Sequence, residues 1–294
     1  MVERTRTILL VDDTVANLEI LVELLADFDV VEATAGEEAL TIVAREKVDL
    51  ILLDIMMPGI DGYTVCRRLK ENAATAEIPI IFITAVSDEE AIEKAYDAGA
   101  IDYVTKPFKP KELLARVRIQ LEHLDLIEKL EFLASHDPMT GIYNRRKFFE
   151  LGLKAFAGRG AGLCAVMLDI DHFKKINDSY GHPTGDRVIR EIVKAIAAEL
   201  DPEVIFGRLG GEEFALLCHR WPPEELFAEI ESLRQKIENL VMVADNGDFF
   251  HCTISAGIAA CDDNTGNLDE LLKRADARLY QAKGGGRNRS IFRG

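Results

Sequence analysis

Short apolar runs alternate with amphipathic segments over residues 1–122. The apolar runs predict strands at Thr7–Val11, Val30–Ala33, Leu50–Asp54, Ile80–Thr84 and Asp102–Thr105. The segments between them predict helices, for example over Asn17–Ala26 and Glu89–Ala98. Strands that alternate with helices form a parallel sheet covered on both faces. The pattern therefore predicts an α/β domain with a doubly wound (βα)5 sheet.

A long helical pattern without interruption follows, from Lys109 to Ser135. Apolar residues recur in it at spacings of three and four, as in a coiled-coil seam: Leu114, Val117, Leu121 and Leu124. The phase slips near Asp125, and the pattern continues with Ile127, Leu130 and Leu133. A helix lying on its own domain is the alternative. We expect a linker helix over 109–135 that continues the last helix of the first domain and dimerises as a coiled coil.

Residues 136–294 show a second α/β pattern, which includes an antiparallel hairpin. Two strand-like runs, Val204–Leu209 and Glu213–Cys218, flank Gly210-Gly211, and this arrangement is typical of a hairpin. The other predicted elements are helices over Arg145–Phe156, Arg187–Leu200, Pro223–Val241 and Leu268–Ala282, and strands over Leu163–Ile170 and His251–Ala259. The pattern predicts a separate domain with a central mixed sheet.

The composition narrows the functional classes. The net charge of -16 argues against a DNA-binding domain, which normally presents a basic face, so we expect no nucleic-acid partner. The five cysteines form no CxxC pair, as is usual for free thiols in a reducing cytosol. The N-terminus is polar and no apolar run reaches membrane-spanning length. We therefore expect a soluble cytoplasmic protein without a membrane partner.

Polar residues stand at the ends of the predicted parallel strands, where ligands bind in such sheets. These residues are Asp12 and Asp13, Asp54, Thr84 and Lys106. Three carboxylates at one edge repel each other unless a cation joins them, which suggests Mg²⁺. A carboxylate beside Mg²⁺ can attack a phosphoryl donor, a threonine hydroxyl can bond the phosphoryl oxygen, and a lysine can balance the charge. Ordinary loop acids are the alternative, and the match at five positions argues against it.

Over residues 5–122 the chain resembles a two-component receiver domain. The matching motifs are Leu10-Val11-Asp12-Asp13, Asp54 with Met57-Pro58-Gly59-Ile60-Asp61-Gly62, Thr84-Ala85, and Lys106-Pro107-Phe108. The resemblance implies that Asp54 is phosphorylated, by a histidine kinase or a phosphotransfer protein. It implies a Mg²⁺ site made by Asp12, Asp13, Asp54 and the Met56 carbonyl. It also implies Thr84 and Tyr103 as the switch pair, Lys106 as a phosphoryl contact, and a cis bond before Pro107.

A second group of carboxylates is predicted in the C-terminal half. Asp169 ends an apolar strand, and Glu212 and Glu213 follow the Gly210-Gly211 turn. If the hairpin lies beside that strand, the carboxylates converge and suggest Mg²⁺, which usually arrives with substrate phosphates. Glycines without a Cβ let a polyphosphate or a base approach the backbone. Cations for the phosphates are available at Lys174, Lys175, Lys283 and Arg287.

Over residues 134–292 the chain resembles a GGDEF-type diguanylate cyclase, in the GGEEF form associated with activity. The motifs are Gly210-Gly211-Glu212-Glu213-Phe214, Asp137-Pro138-Met139-Thr140-Gly141, Asn144-Arg145-Arg146, Asp169 to Asp178, Gly181-His182, Gly185-Asp186, Ala275-Asp276, Leu279-Tyr280, Ala282-Lys283 and Gly286-Arg287-Asn288. The resemblance implies that Asp169 and Glu212 bind Mg²⁺ (or Mn²⁺) by their side chains and Ile170 by its carbonyl. Glu212 or Glu213 would help to deprotonate the attacking 3′-hydroxyl, and both remain candidates.

The same resemblance implies the contacts to GTP. Asn177 and Asp186 read the guanine edge, and His182 lines the same pocket. A carboxylate accepts from the N1–H and N2–H₂ donors of guanine, and adenine lacks that pair, so an enzyme for adenine dinucleotides is disfavoured. The implied phosphate contacts are Phe173, Lys174, Lys283 and Arg287, with Gly210 and Gly211 giving access.

The implied reaction joins two GTP molecules into cyclic di-GMP and releases two pyrophosphates. Each domain has one guanine pocket, so two domains must face each other in a dimer, held through the receiver and the linker helix. Our hypothesis for control is that phosphorylation of Asp54 moves Thr84 and Tyr103. The helix Lys109–Ser135 then transmits the change, with the slip near Asp125 as the bistable element.

Two other functional classes are alternatives to a diguanylate cyclase. A non-catalytic nucleotide receptor is disfavoured by the intact Asp169, Lys174, Glu212 and Glu213, and a transcriptional regulator is disfavoured by the acidic charge.

The sequence departs from many GGDEF relatives at one motif. The stretch Asp201-Pro202-Glu203-Val204 stands where they carry the RxxD of an inhibitory product site, and Arg208 alone would make a weak one.

Overall fold

A computed structural model of the chain describes residues 5–85, 89–107, 109–158, 162–219, 221–262 and 264–292. The chain divides into two compact units, Met1–Lys129 and Leu130–Gly294. Phe108, which belongs to the Lys-Pro-Phe motif, lies outside the described residues. Among the helices that are described, none combines the length and the apolar character needed to cross a membrane.

The first unit is a five-stranded parallel sheet covered by helices, as the sequence predicts. Its strands are β1 (Thr7–Val11), β2 (Asp29–Ala33), β3 (Leu50–Asp54), β4 (Ile80–Thr84) and β5 (Asp102–Thr105), in the order β2-β1-β3-β4-β5. Its helices are α1 (Val15–Leu24), α2 (Gly36–Val43), α3 (Gly62–Glu71), α4 (Glu89–Asp97) and α5 (Pro110–Ser135), which ends in the second unit. All strand pairs are parallel, so the carboxyl ends of β1, β3, β4 and β5 meet at one edge.

Helix α5 uses its first apolar residues inside the first unit rather than in a dimer seam. Val117 and Leu121 are buried in the same apolar cluster as Leu18 and Leu21 of α1. Further along the helix, apolar side chains are exposed, by 54%, 39%, 57% and 48% for Leu126, Ile127, Leu130 and Leu133. Val117 and Leu121, which we expected in a coiled-coil seam, are therefore core residues of the first unit, because a buried side chain cannot also face a partner chain. Dimerisation through the helix stays a prediction.

The second unit is built on a six-stranded mixed sheet, which confirms the predicted class. The strands are β6 (Tyr143–Asn144), β7 (Cys164–Ile170), β8 (Ile205–Gly210), β9 (Glu213–Cys218), β12 (Ile254–Ala260) and β13 (Ser290–Ile291), in the order β13-β12-β7-β9-β8-β6. A separate hairpin pairs β10 (Met242–Val243) with β11 (Phe249–Phe250). The helices are α6 (Arg145–Ala157), α7 (Phe173–Tyr180), α8 (His182–Ala197), α9 (Pro223–Glu238) and α10 (Leu268–Gly284).

The structure differs from the predicted elements mainly around α7 and α8. Helix α7 was not predicted, because its eight residues bury only Phe173 and Ile176 and give too short a periodic pattern. Helix α8 begins at His182 rather than Arg187, with Pro183 in its first turn, a position that proline favours. The residues of these two helices that pack on the sheet belong to the apolar cluster on one face, which includes Val166 and Phe214.

Candidate active site and phosphoacceptor site

The three predicted carboxylates of the first unit lie together. Asp12 and Asp13 follow β1 and Asp54 ends β3, and one oxygen of each lies within 4.8 Å of the others. Asp12 and Asp54 are 1% and 4% exposed, whereas Asp13 is exposed. Hard cations such as Mg²⁺ take oxygen ligands of this kind, so the residues fit the predicted metal.

Lys106 joins two of these carboxylates. Its Nζ donates to Asp12 Oδ2 at 2.7 Å and to Asp54 Oδ2 at 2.6 Å. Burial raises the pKa of Asp54, and the hydrogen bond from Lys106 opposes that rise. The Lys106–Pro107 bond is cis, in agreement with the receiver resemblance. The lysine predicted to face a phosphoryl group therefore already faces Asp54.

The remaining predicted receiver residues lie on the neighbouring strands. Thr84 is buried at the end of β4, and Tyr103 is half-buried on β5. The ring of Tyr103 packs edge to face on the ring of Tyr96, with 6.3 Å between the ring centroids. The Met56 N–H donates to Asp54 Oδ1 at 3.3 Å. Asn17, which we did not single out, donates from Nδ2 to Asp12 Oδ1 at 2.9 Å. The sequence carries only a weak signal for it, an amide one helical turn after the acidic pair.

In the second unit, the strand register brings the Gly-Gly-Glu-Glu turn beside Asp169. Strands β7 and β9 are antiparallel, with Asp169 opposite Glu213. The Ile170 N–H donates to the Glu212 carbonyl at 3.4 Å. The turn itself favours glycine at Gly211, whose φ of 51° lies in the left-handed region that other residues adopt less readily. The hairpin therefore lies beside the strand that ends in Asp169, as the predicted convergence of these carboxylates requires.

Asp169 is buried and bonded to a cation from α10. Its Oδ2 lies 2.7 Å from Lys283 Nζ. Burial raises the pKa of Asp169 to about 6, Lys283 opposes the rise, and the charges of Glu212 and Glu213 add to it. Within the described part of the second unit, no three acidic, histidine or cysteine side chains form a cluster as compact as that of the first unit. The predicted metal set has two carboxylates and the Ile170 carbonyl, and the excess negative charge around Asp169 fits a cation.

Helices α7 and α8 meet at Gly185, next to the predicted guanine ligands. A Cβ at Gly185 would overlap Asn177 Oδ1 and would lie 3.2 Å from the Phe173 ring. Asn177 Oδ1 is buried and has no hydrogen-bond partner within the described chain. A buried acceptor without a partner is costly unless a ligand satisfies it. Asp186, half-buried, follows Gly185 on α8.

The other predicted contacts are more exposed. Lys174 is exposed on α7, and His182 is exposed at the start of α8. Arg287 is half-buried after α10 and has a left-handed φ of 63°. Gly210 ends β8 and leads into the turn before Glu212. The structure thus places the predicted residues on the elements that border Asp169 and Gly185.

Two family models match this chain. The model described as "Diguanylate cyclase, GGDEF domain" matches residues 134–289, and the receiver domain model matches residues 8–118. The chain belongs to the GGDEF family of diguanylate cyclases. The GGDEF match covers most of the second unit and all the residues around Asp169 and Gly185 described above.

The curated relatives that this chain is similar to are longer than it is. Response regulator PleD of Caulobacter vibrioides is 32% identical over 268 residues, which are 85% of this chain and 58% of PleD. Probable diguanylate cyclase DgcT of Escherichia coli is 38% identical over 55% of this chain and 36% of its own. The chain therefore spans less than two thirds of these curated relatives. The coiled coil and GGDEF domain of DgcB from Caulobacter crescentus, solved in complex with c-di-GMP, is 31% identical, with a TM-score of 0.57 over 62% of this chain and 98% of that one.

The GGDEF site also contains Arg208, to which we assigned no role in the site from the sequence. Arg208 donates to the Gly211 carbonyl through Nε at 2.9 Å and Nη2 at 2.7 Å, and to Asp137 Oδ1 at 3.1 Å. Asp137 lies in the first motif of the domain and Gly211 in the turn, so one arginine ties both to β8. The sequence signal was the arginine immediately before the turn, which we considered only as a remnant of a product site.

Proposed function

We propose that this protein condenses two GTP molecules into cyclic di-GMP, with release of two pyrophosphates. The observation that carries the proposal is the register of β7 with β9, which sets the Gly-Gly-Glu-Glu turn beside Asp169 and Lys283. Carboxylates, a lysine and an open glycine turn at one place suit the polyphosphate of a metal-bound nucleotide. Asn177 on α7 and Asp186 on α8, the two helices that follow β7, would give this nucleotide site a polar end suited to guanine.

The charged residues have distinct roles in this proposal. Asp169, Glu212 and the Ile170 carbonyl would hold Mg²⁺ or Mn²⁺. When bound, such a cation neutralises phosphate charge in the transition state. Lys283 would exchange its bond with Asp169 for a phosphate oxygen, because the metal takes over the neutralisation of that carboxylate.

Guanine selection follows from hydrogen bonding at the polar end of the site. The unpartnered Asn177 Oδ1 can accept from the guanine N2–H₂ group. Asp186 can accept from N1–H, which adenine does not offer. Sites that leave a buried polar group unpaired with the wrong substrate discriminate by about 10⁴-fold or more. GTP is therefore the expected substrate, and ATP a poor competitor.

Two copies of the chain must take part, because each provides one nucleotide site. The exposed apolar residues at the end of α5 offer a contact for the second copy: Leu126, Ile127, Leu130 and Leu133. We propose that phosphorylation of Asp54 changes the first unit through Thr84 and Tyr103 and favours the productive pair. The phosphodonor would be a histidine kinase or a phosphotransfer protein.

Product analysis tests the activity. Wild type with GTP and Mg²⁺ should form cyclic di-GMP and pyrophosphate. Glu212→Gln should lower the rate by about a hundredfold or more, because it removes the negative charge of a metal ligand without changing its shape. Glu229→Gln, an exposed change on α9, is the matched control and should keep the wild-type rate. Tight GTP binding by the wild type without any dinucleotide would instead indicate a nucleotide receptor.

Regulation and assembly need a separate experiment. A small phosphodonor should raise the rate of wild type and the fraction of dimer in sedimentation, and should leave Asp54→Asn unchanged. Leu130→Glu should lower both dimer and rate, because a charge replaces an apolar contact. Equal rates for fully phosphorylated and unphosphorylated wild type would contradict control through Asp54.

A further inference from the structure

Asn288, which follows Arg287 in the loop after α10, is held from three directions. Its backbone N–H donates to Asp171 Oδ2 at 2.9 Å. Its Nδ2 donates to Glu238 Oε1 at 2.8 Å, and its Oδ1 accepts from Arg234 Nη1. Asp171 lies just after β7, and the other two partners lie on α9. One asparagine therefore ties the loop to two separate parts of the unit.

The groups that hold Asn288 are buried and bonded to other residues. Asp171 is 3% exposed, and it also accepts from Thr253 Oγ1 and Ser255 Oγ, each at 2.7 Å. Arg234 is 7% exposed and donates to Glu238 at 2.7 Å. Loss of one partner of a buried, hydrogen-bonded charge strongly destabilises the fold. Asp171 and Arg234 therefore have little freedom to move and can serve as anchors for the loop.

The loop backbone needs this support. Arg287 and Asn288 have φ of 63° and 47°, both left-handed. Asparagine adopts this region readily because its side chain can hydrogen-bond locally, but a long side chain such as arginine does so rarely. The Arg287 N–H donates to the Ala282 carbonyl, which folds the loop back onto the end of α10 beside Lys283. Residues in sparsely populated conformations persist where surrounding contacts determine them.

We infer that Asn288 is a positioning residue, which fixes Arg287 for the triphosphate by anchoring the loop to Asp171 and Arg234. This inference rests on the proposed function, in which Arg287 meets phosphate. Asp171 lies two residues after Asp169, so the turn that supplies a metal ligand also anchors the loop that supplies the arginine. Small displacements of positioned groups lower binding and rate strongly, which gives this connection its effect.

Amide hydrogen exchange tests the anchoring without any nucleotide. Asn288→Ala and Asp171→Ala should speed amide hydrogen exchange in the peptide 284–290 by about tenfold. In these variants the loop can open without first breaking the hydrogen bonds that hold it. Lys236→Ala, which removes only an exposed ion pair of α9 with Glu199, is the control and should exchange like wild type. An unfolding transition followed by the fluorescence of Trp221 verifies that each variant is folded. If Asp171→Ala does not fold, the exchange measured for Asn288→Ala alone is used. Unchanged exchange in folded Asn288→Ala would overturn the inference.

Binding of 3′-deoxy-GTP with Mg²⁺ tests the consequence, since this nucleotide lacks the attacking hydroxyl. Asn288→Ala should weaken binding by about tenfold in the wild-type background and by less than about twofold in an Arg287→Ala background, because residues that act through one another are not additive. The same loss in both backgrounds would overturn a role through Arg287. Absence of binding by the wild type contradicts the proposed function instead, and the exchange result still decides on the anchoring.

Discussion

Lys283 Nζ lies 2.7 Å from Asp169 Oδ2, so a cation from α10 partly neutralises the carboxylate that would bind the metal. The pKa of Asp169 nevertheless stands at about 6, because burial and the two nearby glutamates outweigh the lysine. A proton and a metal ion therefore compete for the same carboxylate close to physiological pH. This competition gives the first of five predictions.

The Mg²⁺ requirement should depend on pH. Below about pH 6 Asp169 is protonated in the folded protein and cannot bind a cation. At about pH 5 the Mg²⁺ concentration for half-maximal product formation should be about tenfold higher than at neutral pH, one pKa unit corresponding to a factor of ten. Lys283→Met should move this dependence to higher pH, since the lysine lowers the pKa of Asp169. A Mg²⁺ requirement that is flat from about pH 5 to pH 8 would contradict the role of Asp169.

Gly185→Ala should damage the guanine end of the site. The added methyl group would overlap Asn177 Oδ1 and press on Phe173, so α7 and α8 must separate. Overpacking of this kind costs about 1–3 kcal/mol of stability, and the KM for GTP should rise by about tenfold. Steady-state kinetics and unfolding followed by Trp221 fluorescence measure both effects. Gly266→Ala, whose new methyl would meet only the flexible Glu270 side chain, is the control.

Lys106→Met should change metal binding and phosphorylation in opposite directions. Without the lysine, Asp12 and Asp54 carry uncompensated negative charge, so Mg²⁺ affinity should rise by about three- to tenfold. Phosphoryl transfer from a small donor should slow, because no cation then meets the phosphoryl group. Calorimetry in an Asp169→Asn background isolates the first-unit site. Lys94→Met, which breaks an exposed pair with Glu90 on α4, should alter neither property.

Arg6→Met should destabilise the first unit. Arg6 is bonded to Asp49, Asp125 and Glu128, and so joins the start of β1 to α5. Its side chain is only 11% exposed, and loss of such a charged hydrogen-bond partner costs about 1–3 kcal/mol. The urea midpoint measured by hydrogen exchange in first-unit peptides should fall, whereas the midpoint measured by Trp221 fluorescence in the second unit should not change. Arg118→Met, which removes an exposed pair with Asp27, should lower the free energy of unfolding of the first unit by less than about 0.5 kcal/mol.

The same network predicts a pH dependence of stability. The hydrogen bond from Arg6 lowers the pKa of Glu128 below its usual value. A carboxyl group whose pKa is lower in the folded state stabilises the fold above its unfolded pKa and loses that contribution as the pH falls through the folded value. The difference between wild type and Arg6→Met should therefore shrink on acidification below about pH 4.5. A difference that is constant or larger in acid would contradict this assignment.

The amino-acid sequence by itself determined the strands and the residues at their ends. Val11, Leu53 and Ile83 lie in apolar runs that parallel pairing requires, and the polar residue after each run must lie at the carboxyl edge whatever the details of packing. The Gly-Gly hairpin before Glu213 was equally local, because turn chemistry and strand length lie within a few residues. These features depend on residues that are neighbours in the sequence, so the sequence alone is enough to predict them.

Only the tertiary structure decided which groups are partners. Periodicity placed Val117 and Leu121 on an apolar face of α5, but it could not say that this face packs on α1 rather than on a second copy. The contact of Gly185 with Asn177, the bond of Lys283 to Asp169 and the bond of Asn288 to Asp171 also join different elements. Such pairs form because two surfaces fit together in space, and a local pattern carries no information about the surface that an element will meet.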